Sequence, residues 1–172
     1  VFEKFPADLP VPIVVVQHMP KGFTKSLADR LNNLSQCRVK ETEDGDILKP
    51  GCGYIGQAGY QIGFAKQGEN IVIKHRLPKQ DDLFKPAVND LFLNAAQIYE
   101  PSKMLCVVMT GMGNDGLEAV RQLKNQGITV IAESEKTAVV FGMPGVLVKE
   151  NLADKVLPVF NIGDEIVKLV KR

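Results

Sequence analysis

The chain has 172 residues, 45% of them hydrophobic and 24% charged, which is typical of one globular domain and excludes disordered, collagen-like and coiled-coil proteins. The 21 basic and 20 acidic residues leave a net charge of +1, so no positive excess indicates a nucleic-acid partner or insertion at a membrane. An odd number of cysteines, Cys37, Cys52 and Cys106, predicts free thiols in a reducing compartment, the cytoplasm, rather than a disulfide framework.

Strand and helix patterns alternate in the first half of the chain. Residues 13–17 form a β-branched apolar run, which predicts a strand buried on both faces. Thr24 can cap the helix that follows, whose leucines recur at the spacing of one buried stripe. Turn signals such as Asp44-Gly45 and Pro50-Gly51 punctuate residues 38–74, and they predict two or three hairpin strands.

The second half repeats this alternation with longer elements. Pro86 suits a first helical turn before the apolar face of residues 88–99. Residues 104–109 predict a second doubly buried strand, which turns through residues 110–116 into a helix ending near Gly127. A third strand over residues 129–132 and a last amphipathic helix follow.

This order predicts an α/β fold: a doubly wound, mostly parallel sheet with helices on both faces and an inserted β-hairpin region. The whole of residues 1–172 is expected to form one domain. Ligands and catalytic groups gather at the carboxyl ends of strands in such sheets. His18 and the loop 111–116 are both expected at that edge.

His18, one of two histidines, directly follows the first buried strand. It is either a hydrogen-bonded strand-end residue or a general base, for which imidazole is suited near neutral pH. Asp115 is either the N-cap of the following helix or the carboxylate that accepts the Nδ1–H of His18. His75, at the edge of a polar loop, is expected to be solvated, and no metal site is predicted.

A second interpretation of the same loop has to be weighed. Residues 111–116 match G-x-G-x-x-G between a strand and a helix, and Glu133 ends the next strand, as in a dinucleotide-binding oxidoreductase domain. Against it, Asp115 would place a negative charge beside a pyrophosphate, and the motif lies late in the chain.

Four segments in order resemble a known family: VVVQHMPKGFT (14–24), VKETEDGD (39–46), TGMGNDG (110–116) and TAVVFGMP (137–144). They closely resemble the catalytic domain of bacterial chemotaxis protein-glutamate methylesterases, the CheB family. The resemblance implies a cofactor-free cytoplasmic serine hydrolase that cleaves glutamyl methyl esters on chemoreceptor helices and deamidates receptor glutamines. It makes His18 the base, Asp115 the orienting carboxylate, and the Met112 N–H part of the oxyanion hole.

The sequence departs from the family at several points. The Gly-x-Ser-Thr-Gly-Gly turn that carries the family's nucleophile is absent, and the chain starts at Val1 without Met. We therefore expect the first strand and the serine to lie upstream of Val1, with the family's regulatory receiver domain also outside this chain. Residues 56–61, GQAGYQ, replace the usual Ala-Pro-Gly-Gly-x-His. A non-catalytic homologue that binds a receptor or partner is the alternative.

Overall fold

The structure, a computed structural model, describes residues 1–171. Its strands are β1 (Ile13–Val15), β2 (Arg38–Glu41), β3 (Cys52–Ile55), β4 (Gln61–Gln67), β5 (Asn70–Arg76), β6 (Leu105–Val108), β7 (Thr129–Glu133) and β8 (Lys155–Leu157). Its α-helices are α1 (Phe23–Leu34), α2 (Val88–Ala95), α3 (Leu117–Lys124), α4 (Met143–Lys149) and α5 (Val159–Val170). Within this part of the chain, no helix combines the length and the apolar character needed to cross a bilayer.

Six of the strands run parallel to their neighbours, in two three-stranded sheets. The first sheet has the order β1-β3-β2, with Val14 opposite Tyr54. The second has the order β6-β7-β8, with Val107 opposite Ile131. Strands β4 and β5 form the antiparallel hairpin inserted between them in the chain.

Alternate strand residues point into two separate apolar cores. Cys106 and Val130 pack in one core with helices α2, α3 and α4, whereas Val107 and Ile131 pack in the other with α1 and α5. Because successive strand side chains point to opposite faces, a helical layer covers each side of the parallel strands. The predicted three-layer α/β class is confirmed.

The prediction for residues 38–74 was partly wrong. Strands β2 and β3 belong to a parallel sheet with β1, and only β4 and β5 pair as a hairpin. Short strands that end in turns look alike in sequence whether their partner is adjacent or distant along the chain. Strand β1 is also half-buried rather than doubly buried, and helix α4 and strand β8 were not predicted.

Thr24 does not cap helix α1. Gly22, with φ of 87°, stands at the N-cap position, and Thr24 is fully buried in the first turn. Its hydroxyl donates to Glu41 Oε1 at 2.5 Å and accepts from the Ala58 N–H at 3.1 Å. Thr24 therefore ties the helix to the end of β2 and to the loop after β3, a long-range role that local sequence does not reveal.

Candidate active site

His18 and Asp115 meet although 97 positions separate them in the chain. His18 follows β1 and Asp115 lies in the loop between β6 and α3, so each leaves the carboxyl end of a parallel strand. The His18 Nε2 atom lies 2.8 Å from Asp115 Oδ2. The Asp115 side chain is 2% exposed and that of His18 is 24% exposed. A buried carboxylate thus holds an imidazole that is partly open to solvent.

The ring nitrogen in this contact is Nε2, not the Nδ1 that the sequence predicts. Nε2 is the ring nitrogen farther from the backbone, so it is the one that reaches a partner buried in a loop of the other sheet. Nδ1 of His18 makes no hydrogen bond to any of residues 1–171. The nitrogen left for proton transfer is therefore Nδ1.

Asp115 is not the N-cap of the helix that follows it. Gly116 holds the N-cap position of α3 and has no capping side chain. The Asp115 carboxylate instead accepts the N–H groups of Val88 at 2.7 Å and Asn89 at 2.9 Å. Those are the first residues of α2, whose own N-cap residue, Ala87, has no side chain that could accept them. Asp115 therefore caps the neighbouring helix.

Asn89, near the start of α2, in turn caps helix α3. Its Oδ1 accepts the N–H of Gly116 at 3.1 Å and of Ala119 at 2.9 Å, which are unsatisfied donors at the start of α3. Each helix is thus capped by a residue next to the start of the other. This reciprocal pair of caps fixes the Asp115 carboxylate from two directions.

Two effects act on the charge of Asp115. Burial raises its pKa, but the hydrogen bonds from His18 and from the Val88 and Asn89 N–H groups outweigh burial, and the pKa of Asp115 lies below its ordinary value. Hydrogen bonds to the charged form stabilise it. Asp115 is therefore a carboxylate at neutral pH, able to stabilise an imidazolium beside it.

Met112 lies on an exposed turn between Gly111 and Gly113. The residue is 80% exposed, and its N–H donates to no group within residues 1–171. The segment 140–143 braces this turn: Gly111 N–H donates to the Val140 carbonyl at 3.0 Å, and Met143 N–H donates to the Gly111 carbonyl at 2.8 Å. A free N–H on a braced turn is the geometry that an oxyanion requires.

Phe84 and Gln61 also belong to this site, although the sequence predicts a role for neither side chain. The Phe84 ring stacks on the His18 imidazole, with ring centroids 4.1 Å apart and planes 7° from parallel. Gln61 is buried and hydrogen-bonds the Phe84 carbonyl oxygen at 2.7 Å. Nothing local marks Phe84, because it comes from a polar loop far from His18 in the chain.

Glu133 does not occupy the position of a ribose-binding acid. It is 1% exposed, and its carboxylate accepts the Thr110 N–H at 2.8 Å and the Thr137 hydroxyl at 2.9 Å. A ribose hydroxyl has no access to it. The dinucleotide interpretation thereby loses the acid on which it depended.

His75 is a structural residue of β5 and is half-buried, contrary to the expectation of a solvated side chain. Its Nε2 lies 2.8 Å from the Thr42 hydroxyl, and its ring stacks on Tyr60 at 5.0 Å. Burial lowers the pKa of His75 against the opposing effect of nearby carboxylates such as Asp44. Within the described chain, no group of three or more His, Cys, Asp or Glu side chains is arranged to hold a metal ion.

Comparison with known proteins decides the family. The family model for CheB methylesterase matches residues 1–166. The chain belongs to the CheB methylesterase family. The crystal structure of the Thermotoga maritima CheB methylesterase catalytic domain superposes with a TM-score of 0.93 at 43% identity, covering 98% of this chain and 89% of that one.

Two curated relatives carry the name protein-glutamate methylesterase/protein-glutamine glutaminase. The one from Halalkalibacterium halodurans is 44% identical over 100% of this CheB-family chain and 49% of its own length. The one from Moorella thermoacetica is 46% identical over 99% of this chain and 40% of its own length. The chain thus spans about half or less of the relatives that it matches.

Proposed function

We propose that this chain is the catalytic domain of a cytoplasmic serine hydrolase that removes methyl esters from glutamate side chains of chemoreceptors and deamidates receptor glutamines. The observation that carries the proposal is the 2.8 Å contact between His18 Nε2 and the buried Asp115 carboxylate. Family membership and the relatives' names support the substrate class. Residues 1–172 form one domain in this proposal, and the regulatory receiver domain belongs to sequence outside them.

Each residue then has one task in ester hydrolysis. Nδ1 of His18 takes the proton from an attacking hydroxyl, and Asp115 stabilises the imidazolium that forms. Negative charge develops on the ester carbonyl oxygen, which accepts the Met112 N–H. His18 then returns the proton to the departing methanol, and water repeats the sequence on the acyl-enzyme. With glutamine, ammonia leaves in place of methanol.

The attacking hydroxyl comes from a serine outside residues 1–172 in this proposal. The chain contains Ser26, Ser35, Ser102 and Ser134, and none of them hydrogen-bonds His18 within the described residues. This same observation favours the second candidate, a non-catalytic homologue that binds a receptor without hydrolysing it. The two candidates differ in one measurable product, methanol.

The test is methanol release from methylated receptor by the full-length protein and by its His18→Ala variant. Loss of the base is expected to lower kcat by about 10³-fold or more. His75→Gln is the matched control, because His75 is the other histidine and contacts Thr42 and Tyr60 instead of the site. Equal rates for His18→Ala and the unsubstituted protein would overturn the assignment of the base. Receptor binding without methanol from any form would establish the second candidate.

A further inference from the structure

One short segment, residues 84–89, contacts both members of the His18–Asp115 pair. At its start, the Phe84 ring lies flat on the His18 imidazole at a centroid distance of 4.1 Å. At its end, the N–H groups of Val88 and Asn89 donate to the Asp115 carboxylate. The position of this segment therefore determines the position of His18 relative to Asp115.

Gln61 anchors the middle of the segment with both ends of its amide. Gln61 Nε2 donates to the Phe84 carbonyl at 2.7 Å, and its Oε1 accepts the Ala87 N–H at 2.8 Å. The residue is 2% exposed, so water does not compete for either bond. The N–H of Gly59 adds a bond to the Lys85 carbonyl at 2.9 Å.

We propose that Phe84 and Gln61 are positioning residues for His18. Gln61 holds segment 84–87 in place, and the Phe84 ring holds the imidazole in the orientation that points Nε2 at Asp115 and leaves Nδ1 free. This inference rests on the proposed function for its catalytic consequence, and it adds two residues to the machinery proposed there.

The physical need for a flat neighbour lies in the terminal torsion of histidine. Rotation about the bond between Cβ and the ring is broad and only weakly restricted by the side chain itself. The His18 side chain is 24% exposed, so solvent leaves part of the ring unsupported. An aromatic plane only 7° from parallel blocks rotation of the imidazole out of the Asp115 hydrogen bond.

The kinetic test separates planarity from volume. In the full-length protein, Phe84→Leu fills the space without a flat face, and Gln61→Leu removes both bonds to the segment. Each is expected to lower kcat for methanol release by about 10-fold to 100-fold, with KM within about 3-fold, because a small displacement of a catalytic group has that cost. Phe84→Tyr keeps the aromatic face and is expected to retain kcat within about 3-fold.

Two further variants test whether the residues act as one unit. The double variant Phe84→Leu with Gln61→Leu is expected to be no slower than the slower single variant, since both changes release the same ring. Phe2→Leu is the control: it removes an aromatic partner of Phe5, 5.1 Å away, in the core on the other side of the sheet. A loss of kcat in Phe2→Leu equal to that in Phe84→Leu would overturn the proposal.

A spectroscopic measurement tests the positioning without relying on hydrolysis. In protein labelled with ¹⁵N-histidine, the N–H of His18 that donates to Asp115 gives a downfield proton resonance, because a charged acceptor strengthens the bond. Loss of this resonance in His18→Gln assigns it to His18, and His75→Gln is the control that retains it. It is expected to persist in Phe84→Tyr and to broaden or move upfield in Phe84→Leu. An unchanged resonance and unchanged kcat in Phe84→Leu would contradict the proposal.

Gln61→Glu keeps the proposal testable if the leucine variants fail to fold. It preserves the shape of the side chain and the acceptor for the Ala87 N–H, and at a pH high enough to ionise the new carboxyl, which burial opposes, it turns an acceptor oxygen towards the Phe84 carbonyl in place of the donor. We expect the His18 resonance to change as in Phe84→Leu, and an unchanged resonance would refute the role of Gln61. If the unsubstituted protein releases no methanol, the proposed function fails while the resonance still decides the positioning.

Discussion

Replacing Asp115 with alanine tests whether this residue supports the fold as well as the site. In the native protein its carboxylate accepts the N–H groups of Val88 and Asn89 and contacts His18. Asp115→Ala removes the acceptor and leaves a small cavity. The two N–H groups at the start of α2 then have no partner from Ala87, the residue at the N-cap position. We expect a loss of stability that a purely catalytic residue would not produce.

The size of the loss in stability follows from the two N–H donors that lose their acceptor. Val88 is 7% exposed, so its N–H stays buried and unsatisfied, which costs about 1 to 3 kcal/mol. The Asn89 N–H is partly accessible, and loss of its cap costs about 1 kcal/mol. A decrease of about 2 to 4 kcal/mol in the free energy of unfolding is therefore expected for Asp115→Ala.

Urea unfolding measures this decrease as a lower midpoint at an unchanged slope, by about 1 to 2 M for a slope of about 2 kcal/mol per M. Asp164→Ala is the matched control, because its carboxylate is 64% exposed and its contact within residues 1–171 is an ion pair with Lys4 at 3.4 Å. That variant is expected to lose less than about 1 kcal/mol. Equal midpoints for Asp115→Ala and Asp164→Ala would refute the capping role.

The pH dependence of the same difference supplies an independent check. Hydrogen bonds hold the pKa of Asp115 below its ordinary value despite burial, so its charge contributes stability above the unfolded-state pKa of about 3.9. The gap between native protein and Asp115→Ala is expected to shrink as the pH falls below about 4. A gap that widens as the pH falls below about 4 would show that the neutral acid is the favoured form.

Substitutions at three other positions, Cys106, Asn89 and Gly142, test the core, the second cap and the turn at Met112. Burial raises the pKa of the Cys106 thiol to about 12, so the stability that the buried neutral thiol contributes is complete below about pH 9 and is lost as the pH rises above it. Between pH 8 and 10, the free energy of unfolding measured in urea should fall by about 1 to 2 kcal/mol more for the native protein than for Cys106→Val. Equal losses in the two proteins would contradict this. Asn89→Ala removes the acceptor for the Gly116 and Ala119 N–H groups. It should lower the free energy of unfolding by about 1 to 2 kcal/mol and speed hydrogen exchange at both amides. Unchanged exchange at these amides would refute the capping of α3 by Asn89. Gly142→Ala would place a Cβ 2.7 Å from the Gly111 carbonyl oxygen and 3.0 Å from the Gly113 nitrogen. The free energy of unfolding should therefore fall by about 1 to 3 kcal/mol, and kcat should fall with it. Wild-type values of both would show that the turn at Met112 accommodates the added methyl group without loss of stability or activity.

The elements that sequence predicted well are those whose pattern is local and repeated. The apolar run at residues 104–109 became β6 (Leu105–Val108), and the pattern at residues 129–132 became β7 (Thr129–Glu133). Burial of alternate side chains on two faces follows from the strand backbone alone. Strands β2 and β3 carry the same local signals as a hairpin, but they pair with each other in parallel, and β1, the second partner of β3, lies outside any local window.

The candidate site divides in the same way. His18 and Asp115 were recognisable because each residue follows a strand, and catalytic groups gather at the carboxyl ends of parallel strands. The choice of Nε2 over Nδ1 depends on how far the ring reaches towards a loop of the other sheet. Phe84 carries no signal of its own, because its effect comes from a 4.1 Å stack with a residue in another part of the chain.

Local sequence was enough to predict the α/β class, the two strand-end residues of the candidate site and the resemblance to a methylesterase family. Periodicity, turn chemistry and motif spacing are properties of neighbouring residues, so they can be read without coordinates. The three-dimensional contacts were needed to show that Asp115 caps α2, that Asn89 caps α3, and that Gln61 anchors the loop holding Phe84 on His18. The reason is physical: a buried donor is satisfied by whichever acceptor folding brings within about 3 Å, whatever its distance along the chain.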